Sequence, residues 1–432
     1  MMHYKIFQKA TSLLGFMLFF IICSLEVVQG GVHNRKQCWQ ALHPKQFCIE
    51  SKDTSKNNFV EMGRGLPHIA SKIKNKEAIN IAFLGGSITH MKGWRDLVMD
   101  YFIKQFPEND FHFLDAGIPS LGSLPHAFRL QEDLLDKMNP DLVFIEAAVN
   151  DEGNGTPQVE QLRALEGIVR HIRKVNNNTD MVLMAFADEV KLDSFLNHKP
   201  SIAVEAHEKV AKYYKLPFLN LAREVFVRIQ NGEFSWKDDF KNLHPAPFGQ
   251  SLYFNSIKNL ITQALDPSNE PIKTNGDAGF PKNYTVRPLD PYNYSNGKYL
   301  KVSEALSLKG FEYVEDWQPS DCAHVRPGFV HVPILEAETP GASLRLGFSG
   351  TAIGIAVNSG PDAGAIYYRI DDGRWAYKDL YTRWSQNLHL PWYELLGDEL
   401  PEGNHVLEIK NTRRLDSGTK GTAVRIVHFL EN

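Results

Sequence analysis

The sequence predicts two folded domains in tandem: a doubly wound, three-layer α/β/α domain with a mainly parallel sheet, then an all-β antiparallel sandwich. Three observations predict this. From residue 79 to about 265, short apolar runs suited to buried strands alternate with amphipathic helical segments. A stretch rich in Pro, Asn and Gly over residues 267–298 breaks that rhythm. Beyond it, short alternating strands are separated by turn residues, the pattern of a sandwich. A chain of 432 residues is also longer than one ordinary domain.

In order along the chain, residues 79–84, 111–114, 142–147 and 181–185 are apolar runs that fit strands buried on both faces. Residues 93–105 place Trp94, Leu97, Val98, Tyr101 and Phe102 at helical spacing, with Trp94 expected in the core. Residues 127–138 do the same with Phe128, Leu130, Leu134 and Leu135, and residues 159–175 with Leu162, Leu165, Ile168, Val169 and Ile172. In the second half, strands are expected over 343–348, 352–357, 365–370 and 405–409; Asp371-Asp372-Gly373 follows the third and Pro401-Glu402-Gly403-Asn404 precedes the last. The expected boundaries are an N-terminal leader over 1–30, a short segment over 31–75, the α/β domain over 76–266, a linker over 267–298 and the sandwich over 299–432.

Hydrophobic residues make up 43% and charged residues 23%, which places the chain among globular proteins and excludes a disordered one. A net charge of −4 gives no electrostatic footprint for nucleic acid. At the N-terminus, Lys5 and Lys9 precede an apolar run over 13–25, and Val28-Gln29-Gly30 follows. That is the pattern of a secretory signal peptide, with an apolar core shorter than the roughly 20 residues a membrane span needs. Export is expected, to the periplasm if the source is bacterial, with no membrane association after removal. In an oxidising compartment Cys38 and Cys48 have the spacing of a small disulfide loop, with two free thiols as the alternative. Cys322 is left over and expected to be buried as a small hydrophobe. Asn283-Tyr284-Thr285 and Asn293-Tyr294-Ser295 are acceptor signals for N-glycosylation in a eukaryotic secretory pathway only.

Four segments carry chemistry. The first predicted strand runs into Gly85-Gly86-Ser87, which puts a serine hydroxyl at the carboxyl end of a strand, where ligands collect in open α/β sheets. A serine there is a candidate nucleophile; phosphate binding and a plain helix start are the alternatives. Asp115-Ala116-Gly117-Ile118-Pro119-Ser120-Leu121-Gly122-Ser123 is a glycine-bearing loop after the next strand, where a backbone N–H can approach an oxyanion unobstructed, or simply turn the chain. The third strand ends in Asn150-Asp151: the Asn150 amide is a neutral donor of the kind an oxyanion hole uses, and Asp151 is placed to brace the loop. Last, Asn242-Leu243-His244-Pro245 holds a histidine on a Pro-bounded loop, suited to act as general base near neutral pH.

Together these segments resemble, in the same order, the sequence blocks of the SGNH (GDSL-like) hydrolase superfamily, over roughly residues 79–265. "GGSIT" matches the first block, with Gly86 where an acidic residue is usual. "PSLGS" matches the second through Gly122, with Gly117 as the fallback; "AVND" matches the third with Ala148 replacing its first glycine, and "LHPAPFGQ" the histidine block. The resemblance implies Ser87 as nucleophile, His244 as base, and the Ser87 N–H, Gly122 N–H and Asn150 amide as the oxyanion hole. It also implies an acid three residues before the histidine, where this chain has Lys241. Asp239 or Asp238 would orient His244 only from a shifted loop; the alternatives are a backbone carbonyl holding the imidazole in a Ser-His dyad, and a solvated acidic loop.

A jelly-roll-like domain beside an SGNH domain resembles carbohydrate esterases that remove acetyl groups from polysaccharides, so an acylated polysaccharide or oligosaccharide is the expected substrate. Trp375, Tyr377, Trp384, Trp392 and Tyr393 are candidates for stacking on sugar, against the commoner fate of core packing. The rival readings are a lipase, an acyltransferase, and a non-catalytic carbohydrate-binding protein on a degenerate hydrolase scaffold. No P-loop, dinucleotide fingerprint or His/Glu metal run is present in the sequence, so no cofactor or metal is expected. The sequence does not specify the oligomeric state.

Overall fold

The computed structural model describes residues 59–266, 286–415 and 421–432. The leader, Cys38, Cys48 and the signal at Asn283 lie outside the described residues. The α/β part begins with β1 (Val60–Glu61), α1 (Pro67–Lys74), β2 (Ile79–Gly85), α2 (Ser87–His90), α3 (Trp94–Gln105) and β3 (Phe111–Gly117). It continues with α4 (Ser123–Leu130), β4 (Leu142–Glu146), α5 (Ala148–Asn154), α6 (Gln158–Val175) and β5 (Asp180–Met184). It closes with α7 (Glu189–Leu196), α8 (Ile202–Tyr214), β6 (Phe218–Leu219), α9 (Leu221–Gln230) and α10 (Pro247–Leu265).

The sheet order is β1-β6-β5-β4-β2-β3, parallel throughout except for β1 against β6. β4 and β5 are buried at every position, as strands covered on both faces must be. Right-handed crossovers then put α3 on one face, where it packs on α10, and α4, α6 and α8 together on the other. Trp94 is fully buried, edge-on to Phe83, Phe144 and Phe186 at ring-centroid distances of 5.5, 6.2 and 5.5 Å. The helix expected over 127–138 starts earlier, at Ser123, and widens into a π-type turn over Gln131–Leu135. β2 sits between β3 and β4, so the chain leaves it first to one side and then crosses to the other. That reversal opens a crevice at the carboxyl ends of β2, β3 and β4.

The second part is a sandwich. One sheet has the order β10-β16-β13-β18-β11-β9, with β7 beside β18; the other has the order β15-β14-β17-β12-β8. These strands are β7 (Lys298–Lys301), β8 (Leu306–Lys309), β9 (Glu312–Val314), β10 (His324–Val325), β11 (Ile334–Ala337) and β12 (Ser343–Ser349), then β13 (Ile353–Ser359), β14 (Ala365–Ile370), β15 (Ala376–Asp379), β16 (Leu388–Gly397), β17 (Asn404–Thr412) and β18 (Val424–Glu431). Strand pairing is antiparallel except between β10 and β16. β12 alternates, sending Leu344, Leu346 and Phe348 into the core between the sheets.

β13 is buried at all its positions for a different reason. Ile353, Ile355 and Val357 face the sandwich core, while Ala356 faces the α/β core. Trp317, Phe329, Ile334, Tyr393, Val427 and Leu430 join that same α/β cluster, so one apolar core runs across the seam between the parts. Polar groups clamp its edge: Arg163 of α6, 7% exposed, donates to Asp290 at 3.0 Å, to Asp398 at 2.6 Å and to Glu399. Removing the guanidinium leaves these carboxylates facing one another. Arg163→Ala is therefore expected to cost about 2–4 kcal/mol of stability in denaturant unfolding, with Arg163→Lys recovering only part because one ammonium cannot replace a planar fork.

Cys322 differs from expectation: it is exposed, because it lies on the Asp321-Cys322 bend before β10 rather than on a core-facing strand. Among the described residues no helix is long and apolar enough to cross a membrane, and no cluster of His, Cys, Asp and Glu could hold a metal ion.

Candidate active site

Ser87 follows β2 as the first residue of α2, Gly122 caps α4 after β3, and Asn150 lies in the first turn of α5 after β4. All three therefore stand at the crevice that the strand order creates. The amides of Ser87 and Gly122 are first-turn or cap groups with no acceptor inside their helices. Asn150 Nδ2 donates to Leu121 O at 3.0 Å, which holds its amide beside Gly122. The approach to β2 is equally close: a Cβ on Gly86 would lie 2.0 Å from Asn150 Nδ2. The fallback glycine is placed differently, since the Gly117 N–H already donates to Asp115 Oδ1 at 2.8 Å.

Asp151 stands behind this loop. It is fully buried, accepts from Ser123 N at 2.8 Å, and burial pushes its carboxyl up to about 7. Gly122 is tight against it, with 2.3 Å between a notional Cβ and Asp151 Oδ1. Glu146, at the end of β4, likewise is buried, accepts from Val149 N at 3.1 Å and is pushed up to about 7 by desolvation.

His244 comes from the loop before α10. Phe240, fully buried, anchors one end of that loop, and Ala246 N donates to Phe240 O at 3.0 Å to close it. The His244 N–H donates to Asn242 Oδ1 at 2.8 Å, an Asx turn that sets the residue's direction. The ring then meets the serine, with Nε2 2.8 Å from Ser87 Oγ. Although His244 keeps contact with solvent, desolvation and then the Arg326 guanidinium hold its proton affinity below the ordinary imidazole range.

The structure does not bring Asp239 to the imidazole. Its carboxylate accepts from Ser235 N at 2.8 Å, while Asp238 pairs with the Ser235 hydroxyl at 3.1 Å. Lys241, where an acid would stand, has φ of 79°, and its N–H donates to Trp236 O at 2.7 Å. Among the described residues no carboxylate is paired with His244, whose ring bonds Ser87 Oγ alone.

The sandwich borders the site. A cavity of about 300 Å³ adjoins the loop of Gly122, lined by Gly122, Asn154 and Glu160 on one side and by Lys378, Trp392 and Glu394 on the other. Of the aromatic candidates, Trp392 reaches this cavity and donates to Glu394 at 2.9 Å. Tyr393 also touches it but is 8% exposed. Trp384 and Trp375 are exposed and covered by cations: Arg383 lies 4.4 Å from the first ring, and Lys410 and Arg369 lie 4.2 and 4.9 Å from the second. Tyr377 is half-buried, edge-on to Tyr367 at 5.6 Å. Arg326, whose charge acts on His244, is singled out by no local pattern in the sequence.

Residues 83–252 match the model of the GDSL-like Lipase/Acylhydrolase family. A search of curated proteins finds no match. Among solved structures, the chain is similar to a two-domain esterase (CEX) active on acetylated mannans, with a TM-score of 0.68 at 21% identity, covering 86% of this chain and 95% of that one. The same esterase co-crystallized with mannopentaose gives a TM-score of 0.66 at 21% identity, over 86% of this chain and 98% of that one. At that identity the likeness shows a shared two-domain fold. Residues 83–252 of this chain thus form a GDSL-like lipase/acylhydrolase domain, joined to a C-terminal β-sandwich.

Proposed function

We propose that this protein is a secreted serine esterase that removes O-acetyl or similar short acyl groups from carbohydrate. The observation that carries the reading is the 2.8 Å contact between Ser87 Oγ and His244 Nε2, beside the amides of Ser87, Gly122 and Asn150. In the neutral imidazole Nε2 accepts and Nδ1 carries the hydrogen. Ser87 Oγ attacks the acyl carbon as its proton passes to Nε2, and the carbonyl oxygen becomes an oxyanion facing the three donors. Collapse breaks the ester bond, the sugar oxygen takes the proton from Nε2, and an acyl-serine remains. Water repeats the cycle, with His244 as base, and releases the acid.

Carbohydrate as the alcohol is supported by the cavity of polar and aromatic side chains next to Gly122, and by the fold shared with an esterase active on acetylated mannans. Secretion rests on the charged and apolar pattern at the N-terminus. The test is acetate release from acetylated mannan oligosaccharides; no release from these or from other acetylated glycans, with p-nitrophenyl acetate also left intact, refutes the reading. The pH profile gives a second check. His244 acts as base only when neutral, and its folded proton affinity is lowered. Activity is therefore expected to persist below the ordinary imidazole pKa of about 6.5, with the acid limb of kcat/KM on the low side of that value.

A further inference from the structure

We propose that Asp151 is a positioning residue of the oxyanion hole, whose buried carboxyl holds the start of α4 so that the Gly122 N–H meets the oxygen that gains charge. The proposal rests on the hydrolase reading above.

Asn150 and Asp151 are wedged between two loops, each against a glycine. On one side a Cβ on Gly86 would lie 2.0 Å from Asn150 Nδ2. On the other a Cβ on Gly122 would lie 2.3 Å from Asp151 Oδ1 and 3.2 Å from Asp151 N. Asp151 therefore sits as close to the loop after β3 as Asn150 does to the loop after β2. It also bonds there. Gly122 caps α4 and has no side chain to accept from the free amides of that helix. Asp151 Oδ1 supplies the acceptor from α5, taking the Ser123 N–H at 2.8 Å. On the other side of the same glycine, Asn150 Nδ2 donates to Leu121 O at 3.0 Å. Gly122 is thus pinned through both of its chain neighbours by consecutive residues of α5. Neither bond uses its own N–H, which stays available to a ligand.

The charge on this carboxyl then bears on the reaction. Asp151 is fully buried, and among the described residues its second oxygen, Oδ2, has no hydrogen-bond partner. Enclosing a carboxylate with one oxygen bare of donors disfavours the anion, and burial pushes the group up to about 7. Of the charged groups around it, Lys191 of α7 is paired with Asp188, and Glu152 accepts from Ser201 Oγ at 2.7 Å. Glu146 at the end of β4 is a second buried acid. On α4 and α8, which pack against α5, Arg129 is turned to Asp133 at 3.0 Å, and burial holds His126 and His207 below the ordinary imidazole range. While neutral, the Asp151 carboxyl holds Ser123 without adding charge. Once ionised, it places an anion against Gly122 that opposes the oxyanion forming at that amide. Activity is therefore expected to fall as pH rises through about 7.

The experiment assays the full chain as wild type, Asp151→Ala and Asp151→Asn, on p-nitrophenyl acetate and on an acetylated mannan oligosaccharide across pH, with unfolding midpoints measured for each. Asp151→Ala is expected to lower kcat about 10²-fold on both esters with KM little changed, the cost of a donor misplaced by about 1 Å. The amide of Asp151→Asn keeps an oxygen for the Ser123 N–H, so on the acid side of neutrality this variant is expected to recover most of that loss. It cannot ionise, so the alkaline fall of the wild type is expected to be absent from it. Glu146 titrates in both proteins, so the difference between their profiles belongs to Asp151. Wild-type kcat in Asp151→Ala, a loss that Asn does not recover, or an alkaline limb shared by wild type and Asp151→Asn overturns the proposal. Where Asp151→Ala does not fold, the profile of the Asn variant decides. Retained p-nitrophenyl acetate turnover in Ser87→Ala is a separate outcome, and it overturns the hydrolase reading with the proposal.

Discussion

Ser87→Ala and His244→Ala are each expected to lower kcat for acetyl release by about 10³–10⁶, with KM changed little. The serine variant lacks the atom that forms the acyl intermediate. The histidine variant leaves a hydroxyl with no acceptor for its proton, because among the described residues His244 is the group bonded to Ser87 Oγ. The double variant should be no worse than the weaker single one, since the two side chains perform one step together. Steady-state kinetics on acetylated oligosaccharide, with mass spectrometry of the protein trapped by an organophosphonate, reads both points. Label on Ser87 in the wild type and none in Ser87→Ala is expected; label elsewhere would remove Ser87 from the mechanism.

Gly86→Ala is expected to lower kcat about 10²–10³-fold, the cost of losing one oxyanion donor. The backbone itself tolerates alanine: Gly86 has φ of −90° and ψ of −149°. The obstacle is space, for the new methyl would sit 2.0 Å from Asn150 Nδ2. Asn150 must swing away, and its bond to Leu121 O and its place beside Gly122 go with it. Wild-type kcat in Gly86→Ala, at an unchanged unfolding midpoint, would show that the Asn150 amide is not part of the hole. The absence of the usual acidic residue at this position thus has a steric counterpart in the closeness of that amide.

Much of this was legible in the sequence because the chemistry follows strands. Ser87, Gly122 and Asn150 each lie on the segment that follows an apolar run, and a parallel sheet with a reversal beside β2 gathers the ends of such runs at one crevice. His244 was legible through its fixed place between Asn242 and Pro245. The separation of Asp238 and Asp239 from its ring was not, since the bonds that turn them toward Ser235 depend on a single π-type turn over Trp236–Phe240 that no periodicity marks. Arg326 was invisible for a different reason. Its place is set by the pairing of β10 with β16, and long-range pairing leaves no local pattern. Cys322 shows the same limit at small scale, exposed by a bend rather than hidden by its chemistry.

The continuous core through β13 and β18 bears on how such a protein diversifies. A bead-on-a-string accessory can be exchanged for another by recombination at its linker. Here that exchange would strip Ala356, Val427 and Leu430 from the face of the catalytic half and open its interior to water. New specificities in this architecture must therefore come from substitutions along the join, one side chain at a time, while the two halves are inherited together.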